Sequence, residues 1–244
     1  MVVPEGVKLV WNGLLDVLYP PRCLVCGLEE AEPFCNACHE KIVPIREPFC
    51  DRCGRPVIAS RLVCLECEEG PEPAFSWSHA VGQYSGVLRT AIHRLKYESR
   101  GALAQPLGEL LSKAMNTSSP LVPKNHVIDC IVPVPLHPSK LRMRGFNQAE
   151  RIGRVLSERK EIPIDSAGLI RVRKTRTQTS FHAPERHRNV DRVFDTISPM
   201  HFDGKSVLLV DDVLTTMSTV NECSRVLRNA GAKRVAVLAV ARGL

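Results

Sequence analysis

No stretch of the 244 residues approaches the roughly 18 uncharged apolar positions that a membrane-crossing helix needs, which excludes membrane insertion from the reading. A basic leader and a small-residue cleavage site are both missing at the start. The apolar stretch Val7 to Leu18 instead carries Asp16 and sets Val7, Trp11, Leu14, Leu15 and Leu18 on one helical face, which predicts a docking helix over residues 1–20. No Gly-x-Gly-x-x-Gly occurs, so the dinucleotide fingerprint is absent. Gly204-Lys205-Ser206 mimics the end of a P-loop but precedes a strand and lacks the earlier glycine. There is no low-complexity tract, and no repeat beyond pairs of cysteines. These absences leave a globular protein, expected in the cytoplasm.

What is present is uneven in charge. Residues 1 to 75 hold 7 Lys/Arg against 12 Asp/Glu, whereas residues 137 to 192 hold 14 against 6, within a chain of formal charge +7. A basic half points to an anionic ligand, and both phosphorylated small molecules and nucleic acid qualify.

The break between two parts falls near Gly70-Pro71-Glu72-Pro73. A cysteine-rich module at 21–70 precedes it and an α/β domain at 76–244 follows. Helices are predicted over Gly86 to Tyr97, Leu103 to Met115 and Asn147 to Ser157. A strand or turn is expected near His79 to Tyr84, a buried parallel strand over Val127 to Val134, and a weak strand at Leu169 to Val172. Arg173 to Arg192 shows no apolar periodicity and reads as a loop. The last third is a βαβ unit: strand Ser206 to Val210, turn Asp211 to Thr219, a helix with Val220, Cys223, Leu227 and Ala230 on one face, Gly231 as its stop, and strand Val235 to Val240.

Eight of ten cysteines form four Cys-x-x-Cys knuckles: Cys23/Cys26, Cys35/Cys38, Cys50/Cys53 and Cys64/Cys67. Each knuckle offers two thiolates to one tetrahedral ion, so the four can hold one or two structural zinc ions, paired first with second and third with fourth. A cytoplasmic setting argues against disulfides, and fourfold repetition against a dithiol redox pair. Gly27 and Gly54 follow their knuckles where a positive φ is often required. Core packing is the expectation for Cys130 and Cys223.

The turn after Val207-Leu208-Leu209-Val210 carries the chemistry. A strand-to-helix turn presents backbone N–H groups and the positive end of a helix to a phosphate. Thr215, Thr216, Ser218 and Thr219 add hydroxyls, with Met217 among them, and Asp211 and Asp212 suit the vicinal hydroxyls of a ribose and a magnesium ion.

This Asp-Asp-x-x-Thr-Thr-x-x-Thr turn resembles the 5-phosphoribosyl 1-pyrophosphate (PRPP) loop of type I phosphoribosyltransferases. Together with Ile131 to Glu150 (IVPVPLHPSKLRMRGFNQAE), Leu95-Lys96-Tyr97 and the four knuckles, it resembles the ComF family (competence protein F, also ComFC or GntX-like) over nearly the whole chain. The resemblance implies a phosphoribosyltransferase-like α/β domain, with a parallel sheet and flanking helices, behind a double zinc ribbon. It implies PRPP with Mg2+ as ligand, and Pro135, Leu136, His137, Arg142 and Arg144 as the pyrophosphate side. Asn147 and Gln148 either touch ligand or cap a helix, and Lys96 either reaches a phosphate or is a surface lysine. Residues 173 to 189, with Gln178, Arg186 and Asn189, correspond to the family's closing flap. Two positions depart from the pattern. Met217 stands where the family usually has glycine, which costs about 1–2 kcal/mol if φ is positive there. Thr215 stands where purine enzymes place a carboxylate, which weakens a purine general-base route.

Three functions fit. The first is a PRPP-binding protein that assists single-stranded DNA handling during natural transformation, with DNA-uptake proteins as partners and Arg173, Lys174 and Arg176 as DNA contacts. The second is an active transferase that releases pyrophosphate, with Asp211 and Asp212 in the catalytic centre. A ligand-degenerate adaptor is the third.

Overall fold

The computed structural model describes residues 20–98, 100–116, 127–173 and 193–244. The docking helix expected at 1–20 and the flap beyond Arg173 lie outside the described residues, apart from Pro20 itself. Among the described residues no helix is long and apolar enough to cross a membrane.

Two short helices, α1 (Asn36–Glu40) and α2 (Leu65–Glu69), each start directly after the first cysteine of a knuckle. Then come β1 (Trp77–Gln83), α3 (Gly86–Tyr97), α4 (Ala104–Ala114), β2 (Cys130–Pro133), α5 (Pro138–Arg144) and α6 (Gln148–Lys160). The chain closes with β3 (Leu169–Arg171), β4 (Phe194–Thr196), β5 (Ser206–Leu214), α7 (Ser218–Asn229) and β6 (Arg234–Arg242). β1, β6, β5 and β2 form one parallel sheet in that order, and β3 pairs antiparallel with β4. The sheet is covered on both faces, so β5 and β6 read as continuous apolar runs instead of alternating ones. One face packs Leu208, Val210 and Leu238 against Leu88, Ile92, Leu107, Ile152 and Leu156 of the helices; the other packs Val207, Leu209 and Val237 against Val220, Cys223 and Leu227.

Several boundaries move once the sheet forms. β5 does not stop at Val210: β6 runs on to Arg242, and the ladder continues through Asp211↔Ala239 to Leu214↔Arg242. The acidic pair is therefore part of a strand, and the turn shrinks to residues 215–217. Helix α5 has no apolar periodicity and is not among the helices predicted from the sequence. Pro138 opens it, the His137 ring accepts from Ser139 N–H at 3.1 Å, and Gly145 at φ 80° ends it.

Candidate functional site

The cysteines gather as two groups, Cys23, Cys26, Cys35 and Cys38, then Cys50, Cys53, Cys64 and Cys67, with all sulfurs of a group within 4.8 Å of one another. This is the sequential pairing expected from the spacing. The Sγ separations of 3.8 Å for Cys23–Cys38, 3.6 Å for Cys26–Cys35 and 3.7 Å for Cys53–Cys64 match the roughly 3.8 Å edge of a tetrahedron with Zn–S bonds of about 2.3 Å. Burial alone would raise the Cys23 thiol, but N–H groups of Cys35, Cys26 and Val25 outweigh it and bring it down to about 6. The donor set and its spacing thus fit zinc. Gly27 and Gly54 take φ of 81° and 68°, and a Cβ on Gly54 would lie 2.2 Å from the Ser78 carbonyl oxygen, so the second ribbon presses its backbone onto β1.

At the carboxyl ends of β2 and β5 lies a cavity of about 360 Å³, the position where open parallel sheets bind ligands. Asp211, Asp212, Thr215 and Thr219 form one wall, and Pro135, Leu136, Lys140, Arg144 and Gln148 the other. Lys96, Tyr97 and Arg171 complete it. Thr215, Thr216 and Met217 make the turn itself, and the Thr216 and Ser218 hydroxyls lie 3.2 Å apart where it enters α7. His137 is used as the cap of α5, and Arg142 stands on that helix's exposed side. Arg173 is exposed at the end of the described stretch, whereas Lys174 and Arg176 fall outside the described residues, as do Gln178, Arg186 and Asn189.

The two aspartates follow one another on β5, and both line the cavity close to Lys96. Asp212 points to α3 and accepts from Lys96 Nζ at 2.8 Å, with both side chains largely buried; Asp211 accepts from the Asp212 N–H at 2.8 Å and faces Arg171 and Cys223. Burial first, then the Asp212 charge, raise Asp211 to about 7 against the pull of Lys96. Burial opposes the Lys96 charge, yet Asp212 and Asp211 outweigh it and hold that ammonium protonated. The sequence alone leaves Lys96 as a phosphate contact or a surface lysine; its place in the cavity depends on a contact 116 residues away.

Asn147 and Gln148 both line the cavity but differ in their partners. Asn147 caps α6: its Oδ1 accepts from Ala149 N–H at 3.1 Å and its Nδ2 donates to the Val134 carbonyl at 3.0 Å. Gln148 is 1% exposed, lines the cavity, and its Nε2 has no partner among the described residues; the same holds for Nε of Arg144, whose guanidinium lies over the Tyr97 ring at 5.3 Å. A buried donor without a partner costs about 1–3 kcal/mol, and both residues line the same cavity.

Met217 adopts φ 62°, the left-handed conformation at the N-cap of α7, so the positive φ that makes glycine usual here is real in this chain.

Fold and site together define a phosphoribosyltransferase-type α/β domain behind a double zinc ribbon. The double zinc ribbon family model matches residues 14–68 and the phosphoribosyl transferase domain model residues 143–244. Competence protein F of Haemophilus influenzae is 33% identical over 70% of this chain and 75% of its own length. DNA utilization protein YhgH of Escherichia coli K12 is 32% identical over 92% of this chain and 98% of its own, and competence protein ComFC of Bacillus subtilis 28% identical over 84% and 81%. The chain belongs to the competence protein F (ComF/YhgH) family.

Proposed function

We propose that this protein binds PRPP with magnesium in the cavity between β2 and β5, and that it does so in the service of single-stranded DNA handling. The observation that carries the binding reading is the cavity itself, which Arg144 and Gln148 line together with Asp211, Asp212, Thr215 and Thr219, while Arg144 Nε and Gln148 Nε2 lack partners among the described residues. The ligand must bring oxygen acceptors at one end and tolerate a helix N-terminus at the other, and a 5-phosphorylated ribose diphosphate does both. On this reading the α7 turn holds the 5-phosphate, Asp211 and Asp212 take the ribose hydroxyls, and Arg144, Gln148 and the 135–137 segment face the diphosphate. Magnesium, when bound, would shield the diphosphate charge. Lys96 releases Asp212 as ligand enters and turns to a phosphate oxygen. The ribbon at 21–70 is read as a scaffold for the domain at 76–244.

Calorimetric titration with PRPP and magnesium tests the site. Arg144→Ala should weaken binding by about 10- to 100-fold and Gln148→Ala by about 5- to 10-fold, the range of charged and neutral hydrogen bonds. Wild-type affinity retained in both variants would remove the reading.

The DNA role is supported by the names of the relatives, DNA utilization protein and competence protein, and by the basic balance of residues 137 to 192. Single-strand affinity should fall steeply with salt, and triple substitution of Arg173, Lys174 and Arg176 by Ala should reduce the slope of log affinity against log salt by about 2, near 0.7 per lost contact. Binding that is undetectable at low salt would leave the DNA role without support. An active transferase is the second reading, since Asp211 and Asp212 keep their place on the cavity wall. Thr215 lines the cavity with a hydroxyl where a purine enzyme needs a base.

A further inference from the structure

The second zinc centre and the α7 turn share one side chain. Arg242, the last residue of β6, is 1% exposed. Its Nη1 donates to the Cys53 carbonyl inside the Cys50/Cys53/Cys64/Cys67 group and to the Met217 thioether at 3.3 Å. The ladder explains the reach: Arg242 pairs with Leu214 of β5 on one side and Gln83 of β1 on the other, so it sits where the turn leaves β5 and the ribbon lies on β1. The ribbon cannot slide away, because Ser78 Oγ also donates to the Cys53 carbonyl at 3.0 Å and Ser78 N–H to the Arg52 carbonyl at 3.1 Å. Asn221, one turn into α7, accepts from Ala74 N–H at 2.7 Å in the segment that joins ribbon to domain.

Electrostatics and strain point the same way. A zinc ion on four thiolates keeps two net negative charges, and a buried guanidinium is the counter-charge such a centre needs. Met217 holds a backbone conformation that L side chains resist, so something must retain it there.

We infer that Arg242 is a positioning residue that fixes the Met217 turn from the second zinc centre, so that the zinc-loaded ribbon sets the shape of the phosphate-facing turn. A thioether stands where glycine is usual in the family, and the ribbon offsets its strain through this arginine. The ligand arm of the test rests on the PRPP reading; the exchange arm does not.

The test is amide hydrogen exchange of the peptide covering Thr215 to Asn221 in the full-length protein, with zinc content measured on each sample. Met217→Leu keeps bulk and strain but loses the acceptor, and Arg242→Lys keeps charge but cannot span both partners. Each should speed exchange by about tenfold with both zinc ions retained. In a Met217→Gly background, Arg242→Lys should change exchange less than about twofold, because the strained side chain is gone. Cys67→Ser, which empties the second centre, should loosen the turn in the Met217 protein and not in the Met217→Gly protein. PRPP affinity should fall about tenfold in Met217→Leu, and loss of the arginine's hold on the turn should let a colorimetric chelator take up one zinc several-fold faster. Wild-type exchange in Met217→Leu, or equal effects of Arg242→Lys in both backgrounds, would overturn the coupling. Should Arg242→Lys or Cys67→Ser fail to fold, Met217→Leu decides through exchange and zinc release. Coupled exchange without any PRPP binding would leave the coupling standing and remove only the ligand reading.

Discussion

Stepwise removal of zinc is expected to unfold the second ribbon before the first. The apolar cluster of the second ribbon consists of Cys50, Cys53 and Cys64 with Val57, Val63 and Cys67 packed around them, so its core is largely the metal ligands themselves. Hydrogen bonds from Ser78 and Arg242 tie the second ribbon to the sheet while its apolar cluster stays separate, whereas in the first ribbon Cys23, Val25, Phe34, Cys35 and Cys38 join the main core and Arg94 of α3 donates to the Leu24 carbonyl at 2.7 Å. A structural zinc centre supplies on the order of 10–16 kcal/mol of apparent folding free energy, more than either small module can draw from its own apolar contacts. With chelator added in increments, exchange protection over residues 48–70 should be lost at a lower dose than over residues 22–45. Simultaneous loss, or the reverse order, would show that apolar burial against the α/β domain does not protect the first ribbon. Full chelation should abolish protection in the second ribbon altogether.

Substitution of Asp211 carries the other large effect. On the PRPP reading Asp211→Asn should abolish saturable PRPP-magnesium binding, a loss of at least about 100-fold, because the carboxylate proposed to meet ribose and metal has no neutral substitute with equal charge. Its pH dependence separates this from general damage. Burial and the neighbouring Asp212 hold Asp211 near 7, well above the ordinary carboxylate range. Between the usual carboxylate value of about 4 and about 7, the folded state keeps a proton that the unfolded chain has released, so this group's contribution to stability declines as pH rises across that window. Ligand binding draws on the ionised form, so affinity should rise from pH 6 to pH 8 in the wild type. In Asp211→Asn both trends disappear, and the variant should melt higher than the wild type at pH 8. A variant that melts lower at pH 8 would show that the buried carboxylate is satisfied in its charged form.

The residues differ in how much of their role can be read without the fold. The knuckles are legible because two ligands three apart in sequence face one ion, and the pairing of neighbouring knuckles follows from short connections; both four-sulfur groups form that way. The helix Gly86–Tyr97 is legible for the same reason, since its apolar face repeats within twelve residues. α5 is not, because its seven residues are stabilised by a cap, a leading proline and a closing glycine, with no buried face. The extent of β5 is not legible either: only β6, pairing out to Arg242, decides that Asp211 and Asp212 stand in a strand. In sequence Gln148 and Asn147 read alike, and only their partners tell the helix cap from the amide whose Nε2 has none among the described residues.

By itself, then, the amino-acid sequence determined the zinc-binding pattern, the βαβ frame, the acidic-hydroxyl turn and the family, all of which rest on contacts between near neighbours or on spacing along the chain. The tertiary structure decided which charges meet. Lys96 reaches Asp212 across 116 residues and Arg242 reaches Cys53 across 189. Pairs so far apart in the chain are set by how helices and ribbons pack on the sheet, and no local periodicity encodes that. The positive φ at Met217 belongs to both: the resemblance marked the position as one where glycine is usual, and the structure gives its φ and the arginine packed against it.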